Sequence, residues 1–230
     1  SDVCSSDLAK DAPGFGIMKT DKNNNITSFI EKPKSELLPE WTSPTGPDME
    51  AEGRNYLGSM GIYVFNRALL EQLMDDPSTV DFGKEIIPQA IGNKKVSSYQ
   101  FEGYWTDIGN IESFFEANIG LTEDIPKFNL YDMENRVYTH ARILPTSKYS
   151  NTKLKKAVIA EGCIIHADKI EKSVIGVRSR IGKGTIVKNC YMMGTDFYES
   201  LEEIEKNNIE ILAGIGENCH IENAIIDKKD

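Results

Sequence analysis

Between residues 158 and 193, apolar side chains recur at a spacing that neither an α-helix nor a single β-strand satisfies. Val158, Ile164 and Ile170 step by six, and so do Ile175, Ile181, Val187 and Met193. A helix brings residues three or four apart onto one face, and a strand brings every second residue. A six-residue repeat with short β segments and glycine at its corners, as in "IGVRSRIGKGTIV", predicts a solenoid. The form expected is a parallel β-helix, in which each repeat buries its apolar side against the next. "FYESLEEIEKNNIEI" reads as a protruding insertion, and "IGENCHIENAIID" resumes the pattern. The pattern runs on to Asp230 with no polar capping coil, so the solenoid is expected to be incomplete at that end.

Upstream the signals are mixed α/β. "FGIMKT" and "ITSFIE", joined by "DKNNN", predict a hairpin, since Asn and Asp suit a tight turn. Residues 33–53 carry four prolines in 21 positions and no sustained period, which reads as a mobile surface loop. "YLGSMGIYVFN" returns to a strand pattern, and Gly58, Ser59 and Gly61 leave its first half nearly free of bulk, so a ligand can approach the backbone. Asn66, Asp81 and Asn110 each precede a helical pattern and predict three N-caps. No first strand, Gly-rich turn or nucleotide loop is evident.

Net charge of -10 argues against broad nucleic-acid or anionic-membrane binding. No apolar run approaches the roughly 20 residues of a membrane span. Cys4, Cys163, Cys190 and Cys219 lack CxxC or zinc-like spacing, which with no secretion signal points to a reduced, cytoplasmic setting. The last three read as small buried hydrophobes. The opening "SDVCSSDL" fits poorly with the orderly sequence downstream of it and resembles a translated short-read library adapter. The expected organisation is a non-native segment over 1–8 in place of the true upstream protein, an α/β region over 9–124, a connector over 125–150 and a β-helix over 151–230.

Three short motifs carry possible chemistry, and each has a plainer reading. In "FIEKP", Pro33 biases Lys32 toward an extended conformation. Held at a strand's end, Lys32 can bind a phosphate and Glu31 can accept sugar hydroxyls; an edge lysine beside a surface glutamate explains five residues more simply. Ser59 can donate to a ligand hydroxyl or merely permit close packing. Asp107, in "GYWTDIGN", is an Asx-turn residue, a helix-dipole acid, a solvated loop acid or a Mg²⁺ ligand. Asn110 offers the better cap, which leaves Asp107 as a buried-looking acid without a structural task. His140, His166 and His220 are isolated and read as surface or packing residues.

Taken in order, "FIEKP", "YLGSMGIYVFN", "DFGKEIIP", "GYWTDIGNIESFFEANIGLT", "LPTSK", "SVIGVRSRIG" and "GIGENCHIENAIIDK" resemble the glucose-1-phosphate adenylyltransferase (ADP-glucose pyrophosphorylase) family from about residue 14 onward, and the tail with its long insertion most resembles the plant and cyanobacterial type. The resemblance implies the C-terminal part of a Rossmann-like nucleotidyltransferase domain, followed by a left-handed parallel β-helix of hexapeptide repeats. It implies transfer of an adenylyl group from ATP to α-D-glucose 1-phosphate with Mg²⁺, for glycogen or starch synthesis, in a homotetramer. By motif match, Glu31, Lys32 and Ser59 correspond to glucose-1-phosphate ligands, Lys32 meeting the phosphate. Asp107 corresponds to one of two metal-binding aspartates, and Lys148 and Lys228 to lysines that bind anionic allosteric effectors. The family's Gly-rich nucleotide loop and its other metal aspartate have no counterpart in these residues, so the chain alone is expected to be inactive. The rival readings are another sugar-phosphate nucleotidyltransferase, a hexapeptide-repeat acyltransferase, which leaves "FIEKP" and "YWTDIG" without a purpose, and a regulatory, non-catalytic subunit or assembly module.

Overall fold

Asp21 closes the first hairpin by accepting from the Asn23 and Asn25 amides at 2.8 and 2.9 Å, while Asn24 turns the chain at φ +59°. The Asn25 side-chain amide, which donates to Asp21 Oδ2 at 2.9 Å, holds the Asp21 carboxyl below its usual range together with these backbone bonds. The hairpin pairs β2 (Gly16–Thr20) with β3 (Ile26–Glu31), as expected from the turn residues. In this computed structural model residues 2–75, 79–200, 202, 205–206 and 213–228 are described. The chain divides into two compact units, Ser1–Trp105 and Thr106–Asp230.

The first unit is a five-stranded mixed sheet. With β1 (Asp2–Asp7), β4 (Tyr56–Tyr63) and β5 (Ser98–Gln100), the strand order is β3-β2-β4-β1-β5, and only the β1–β5 pair is parallel. Ile17 and Met18 point to opposite faces, as strand pleating requires. One face packs Met18 with Ile26, Leu57, Ala90 and Val96, the other Ile17 with Ala12, Leu38 and Tyr56.

Two expectations for this unit change. A strand does stand at its start: β1 fills the slot between β4 and β5, although its sequence DVCSSD offers almost no apolar pattern by which to recognise it. Its carboxyls are poorly housed there. Asp2 is fully buried, its Oδ2 has no hydrogen-bond partner, and burial pushes its pKa up to about 7; Asp7 is also raised by burial. The proline-rich segment is also more ordered than a mobile loop. It carries a 3₁₀ helix over Ser35–Trp41 and a short helix, α1 (Pro47–Ala51). Ser43 donates to Met18 O at 3.2 Å and Thr45 to Arg54 O at 2.6 Å, so the prolines sit among tertiary anchors.

All three predicted caps form. Asn66 Oδ1 accepts from Leu69 N at the head of α2 (Arg67–Met74), and Asp81 Oδ1 accepts from Lys84 N. Asp81 leads a π-type turn, Phe82–Ile86, that runs into α3 (Ile87–Ala90). Asn110 Oδ1 accepts from Ser113 N at the head of α4 (Ile111–Gly120).

The second unit takes in α4, which packs on the solenoid: Phe114 meets Tyr191 edge-on at 5.1 Å, and Glu123 pairs with Lys156 at 2.9 Å. No helix or strand is described between α4 and β6 (Lys148–Tyr149). β6 pairs with β8 (Ile164–Ile165) and β8 with β10 (Arg180–Ile181), all parallel. β7 (Lys153–Ile159), β9 (Lys169–Ile175), β11 (Ile186–Met192) and β12 (His220–Ile226) form a second parallel stack.

Each long strand is bent at its fourth residue, where Lys156, Lys172, Asn189 and Asn223 stand at φ between +45° and +55°. The bend splits the stack into two faces, which with β6-β8-β10 make a three-sided coil. Ile165, Ile170, Ile175, Ile181, Val187 and Met192 fill its interior with Cys163 and Cys190. Burial raises both thiols, as for inert core cysteines, whereas Cys219 is only half-buried. The interior spacing is five residues across each bent strand and five or six at the other corners. A strict six therefore loses phase, and Ile165 and Met192 are more deeply buried than the expected Ile164 and Met193. β11 pairs with β12 across the insertion, with Ile186 opposite His220; most of that insertion lies outside the described residues.

Candidate functional site

The candidate site lies at the end of the hairpin in the first unit. Gly16 stands opposite Glu31 in the β2–β3 register, and Lys32 N donates to Phe15 O at 2.9 Å. To make that last bond and leave the sheet, Lys32 adopts φ +46°. The extended conformation expected before Pro33 is therefore not adopted. A left-handed non-glycine residue costs about 1–2 kcal/mol, and strain of this kind gathers where a side chain must be aimed. The Lys32 side chain is exposed and Glu31 is half-buried.

Ser59, buried on β4, is shared among several partners. It donates to Asp2 Oδ1 at 3.1 Å, accepts from Gly61 N at 3.2 Å and lies 3.4 Å from the Tyr63 hydroxyl. Tyr63 stacks on Phe82 at 5.5 Å, and Phe65 joins both rings. Burial raises the Tyr63 phenol above its ordinary value, and the nearby charges of Asp2, Glu31 and Asp81 raise it further. Glu31, Ser59, Tyr63 and Asp81 thus share one neighbourhood. Sequence reasoning does not single out Tyr63 or Asp81 as site residues; the one signal for them is that both fall inside the family-like motifs "YLGSMGIYVFN" and "DFGKEIIP". The cluster presents hydroxyl and carboxylate groups beside aromatic faces and next to a lysine, which suits a sugar carrying a phosphate.

Asp107 belongs to the second unit. It lies in coil, seven residues beyond β5, and is exposed rather than buried. The strand stops at Gln100, too early for Asp107 to occupy a strand's carboxyl end. A Cβ on Gly109 would stand 2.9 Å from Asp107 Oδ2, so the carboxylate lies over bare glycine backbone. Among the described residues it accepts no hydrogen bond, and no group of three or more His, Cys, Asp or Glu residues could hold a metal. A single open carboxylate still fits Mg²⁺, which is commonly held by one or two carboxylates together with substrate phosphates. The cavity of about 500 Å³ beside it is lined by Ile108, Ile111, Phe114, Met193 and Ile225, with Asp227 the one charged group among the described residues. That lining is too apolar for a phosphorylated substrate.

Lys148 is exposed on β6. Lys228 pairs with Asp196 at 2.6 Å, and Arg142 and Arg178 also help to hold the Asp196 carboxyl below its usual range. Of the histidines, His140 is exposed, His166 half-buried and His220 3.6 Å from Glu222.

Comparison with known proteins accounts for both units. Residues 4–124 match a family model described as nucleotidyl transferase, and residues 142–230 match one described as the GLGC left-handed parallel beta-helix domain. The chloroplastic/amyloplastic small subunit of glucose-1-phosphate adenylyltransferase from Triticum aestivum is 42% identical over 229 residues, which takes in 94% of this chain and 48% of that relative. The chain spans about half the length of the curated relative it matches.

Proposed function

Since the chain belongs to the nucleotidyl transferase family and carries the left-handed parallel β-helix of that lineage, we propose that its whole protein is a glucose-1-phosphate adenylyltransferase. It transfers the adenylyl group of ATP to α-D-glucose 1-phosphate, giving ADP-glucose and pyrophosphate for glycogen- or starch-type glucan synthesis. The observation that carries this reading is the strained Lys32, set beside Glu31 at the end of β3 within a segment that matches the family.

The phosphate oxygen of glucose 1-phosphate is already an anion. It attacks the α-phosphorus of ATP, the bond to the β-phosphate oxygen breaks, and pyrophosphate leaves with that electron pair. No strong base is needed; alignment and charge neutralisation are. Lys32 neutralises the sugar phosphate, while Glu31 and Ser59 orient the glucose ring through its hydroxyls. Asp107 is the residue that would hold Mg²⁺, which when bound supplies charge stabilisation on the reacting phosphates.

Lys148 and Lys228 are proposed to receive anionic metabolite effectors. The cationic surroundings of Asp196 support this for Lys228. The complete protein is proposed to be a cytoplasmic homotetramer that binds neither nucleic acid nor membrane. No helix among the described residues is long and apolar enough to cross a membrane. Replacing Lys32 with Ala in the complete protein tests the assignment. The glucose 1-phosphate requirement should rise much more than that for ATP, and equal effects on both substrates reject the role.

A further inference from the structure

Two glycines far apart in sequence meet at the Glu31 carboxylate. A Cβ on Gly16 would lie 2.9 Å from Glu31 Oε2, but it would also strike the Phe29 ring at 2.3 Å, so packing alone accounts for that glycine. Gly83 is different. A Cβ there would lie 2.6 Å from Glu31 Oε2 and 3.1 Å from its Cδ, with Asp81 Oδ1 next at 3.6 Å. Its φ lies outside the left-handed region, so backbone conformation does not call for glycine. Helix propensity also disfavours glycine over alanine at the start of a helical run. Space for Glu31 is the remaining reason.

We infer that Gly83 is a positioning residue for the sugar site: its bare backbone sets where the Glu31 carboxylate rests, and therefore which glucose hydroxyls that carboxylate reaches. The inference depends on reading Glu31 as a sugar ligand. The turn that presents Gly83 is held on both sides. Asp81 Oδ1 accepts from Lys84 N at 2.8 Å, and Glu85 Oε2 accepts from Val80 N at 2.6 Å and Asp81 N at 3.1 Å. Ile86 and Ile87 anchor its far end in the interior. A methyl group added at Gly83 cannot back away, whereas the carboxylate is the free end of a flexible side chain. The carboxylate is the part that gives, by about 0.8 Å to regain ordinary contact. The fold tolerates that movement, but a ligand alignment does not.

The test is Gly83→Ala in the complete protein, assayed with ATP, glucose 1-phosphate and Mg²⁺. The glucose 1-phosphate KM should rise on the order of 10- to 100-fold, with the ATP KM within about twofold and thermal unfolding unchanged. Glu31→Asp withdraws the carboxylate by one methylene and makes room for the methyl. Gly83→Ala should therefore cost much less on that background. An equal cost on both backgrounds, a parallel rise in both KM values, or failure of Gly83→Ala to fold even with Glu31→Ala would overturn the inference and leave the sugar-site reading intact. A Glu31→Ala protein with unchanged glucose 1-phosphate KM would overturn both.

Discussion

The left-handed conformation of Lys32 separates stability from function at a single residue. At φ +46° any side chain with a Cβ carries about 1–2 kcal/mol of steric cost. Glycine escapes that cost but gives up about 0.5–1 kcal/mol more backbone freedom on folding. Lys32→Gly should therefore stabilise the first unit by about 0.5–1 kcal/mol relative to Lys32→Ala. For a unit of roughly 100 residues this is a rise of about 2–5 °C in melting temperature. Both variants lose the ammonium group, so both should lose glucose 1-phosphate affinity to the same extent. Lys172, at φ +45° on a solenoid corner, has no proposed role in the reaction, and Lys172→Gly provides a control for the conformational gain alone. Thermal unfolding of the variants, paired with KM values measured in the complete protein, decides the matter. If Lys32→Gly melts with or below Lys32→Ala while Lys172→Gly gains, Lys32 is not held left-handed, and strain at the phosphate site is refuted.

Burial, charge and packing set the remaining expected outcomes. Burial raises Asp2 from 3.8 to about 7, so its contribution is most favourable below pH 3.8 and is lost as pH rises through about 7. Asp2→Asn should therefore stabilise the chain at pH 8 by a few kcal/mol, on the order set by 1.36 kcal/mol per pKa unit, with the gain shrinking toward pH 4 in urea titrations. Glu171 is held down to about 2 by its hydrogen bonds to Lys155 and Lys169. The stability it adds is present above pH 4.5 and lost as pH falls through about 2, and Glu171→Gln should flatten that part of the acid-unfolding curve followed by circular dichroism. Ile175→Ala, in the solenoid interior, should cost about 2–5 kcal/mol by urea denaturation. Purified residues 1–230 should release no pyrophosphate from ATP and glucose 1-phosphate with Mg²⁺; any turnover would contradict that expectation.

The features readable from sequence are those set by local chemistry. Asp21, Asn66, Asp81 and Asn110 announce a turn and three caps because each side chain bonds an amide two to four residues away. The features that escape are set by partners distant in sequence. β1 exists because β4 and β5 flank it, and Asp2–Asp7 carries little sign of that. Pro33 suggests an extended Lys32, but the bond from Lys32 N to Phe15 O decides its conformation. Tyr63 joins the site through its stack on Phe82, and the charges of Glu31 and Asp81 reach its phenol, neighbours that no local window contains.

The solenoid shows how a correct period can still give an imprecise core. Three sides of six residues would make an 18-residue turn, yet Lys153 pairs with Lys169, and Lys169 with Ile186. The turns are thus 16 and 17 residues long. One residue is saved at the bend of each turn, Lys156 in the first and Lys172 in the second, where a left-handed residue turns the corner and, at Lys172, brings Ile170 and Ile175 inward at five-residue spacing; the five-residue step from Ile165 to Ile170 saves a second in the first turn. Asparagine adopts that conformation at lower cost than lysine, and Asn189 and Asn223 also bond to each other at 2.7 Å up the corner. The column Lys156, Lys172, Asn189, Asn223 thus passes from costly to favourable corner residues. The lysine corners are compensated in part from outside the coil, by Glu123 and Asp124 at Lys156. Those acids follow α4, so the corner charge that turns the first coil also fastens the helix to it, and replacing Lys156 by Asn should relax the corner while loosening α4.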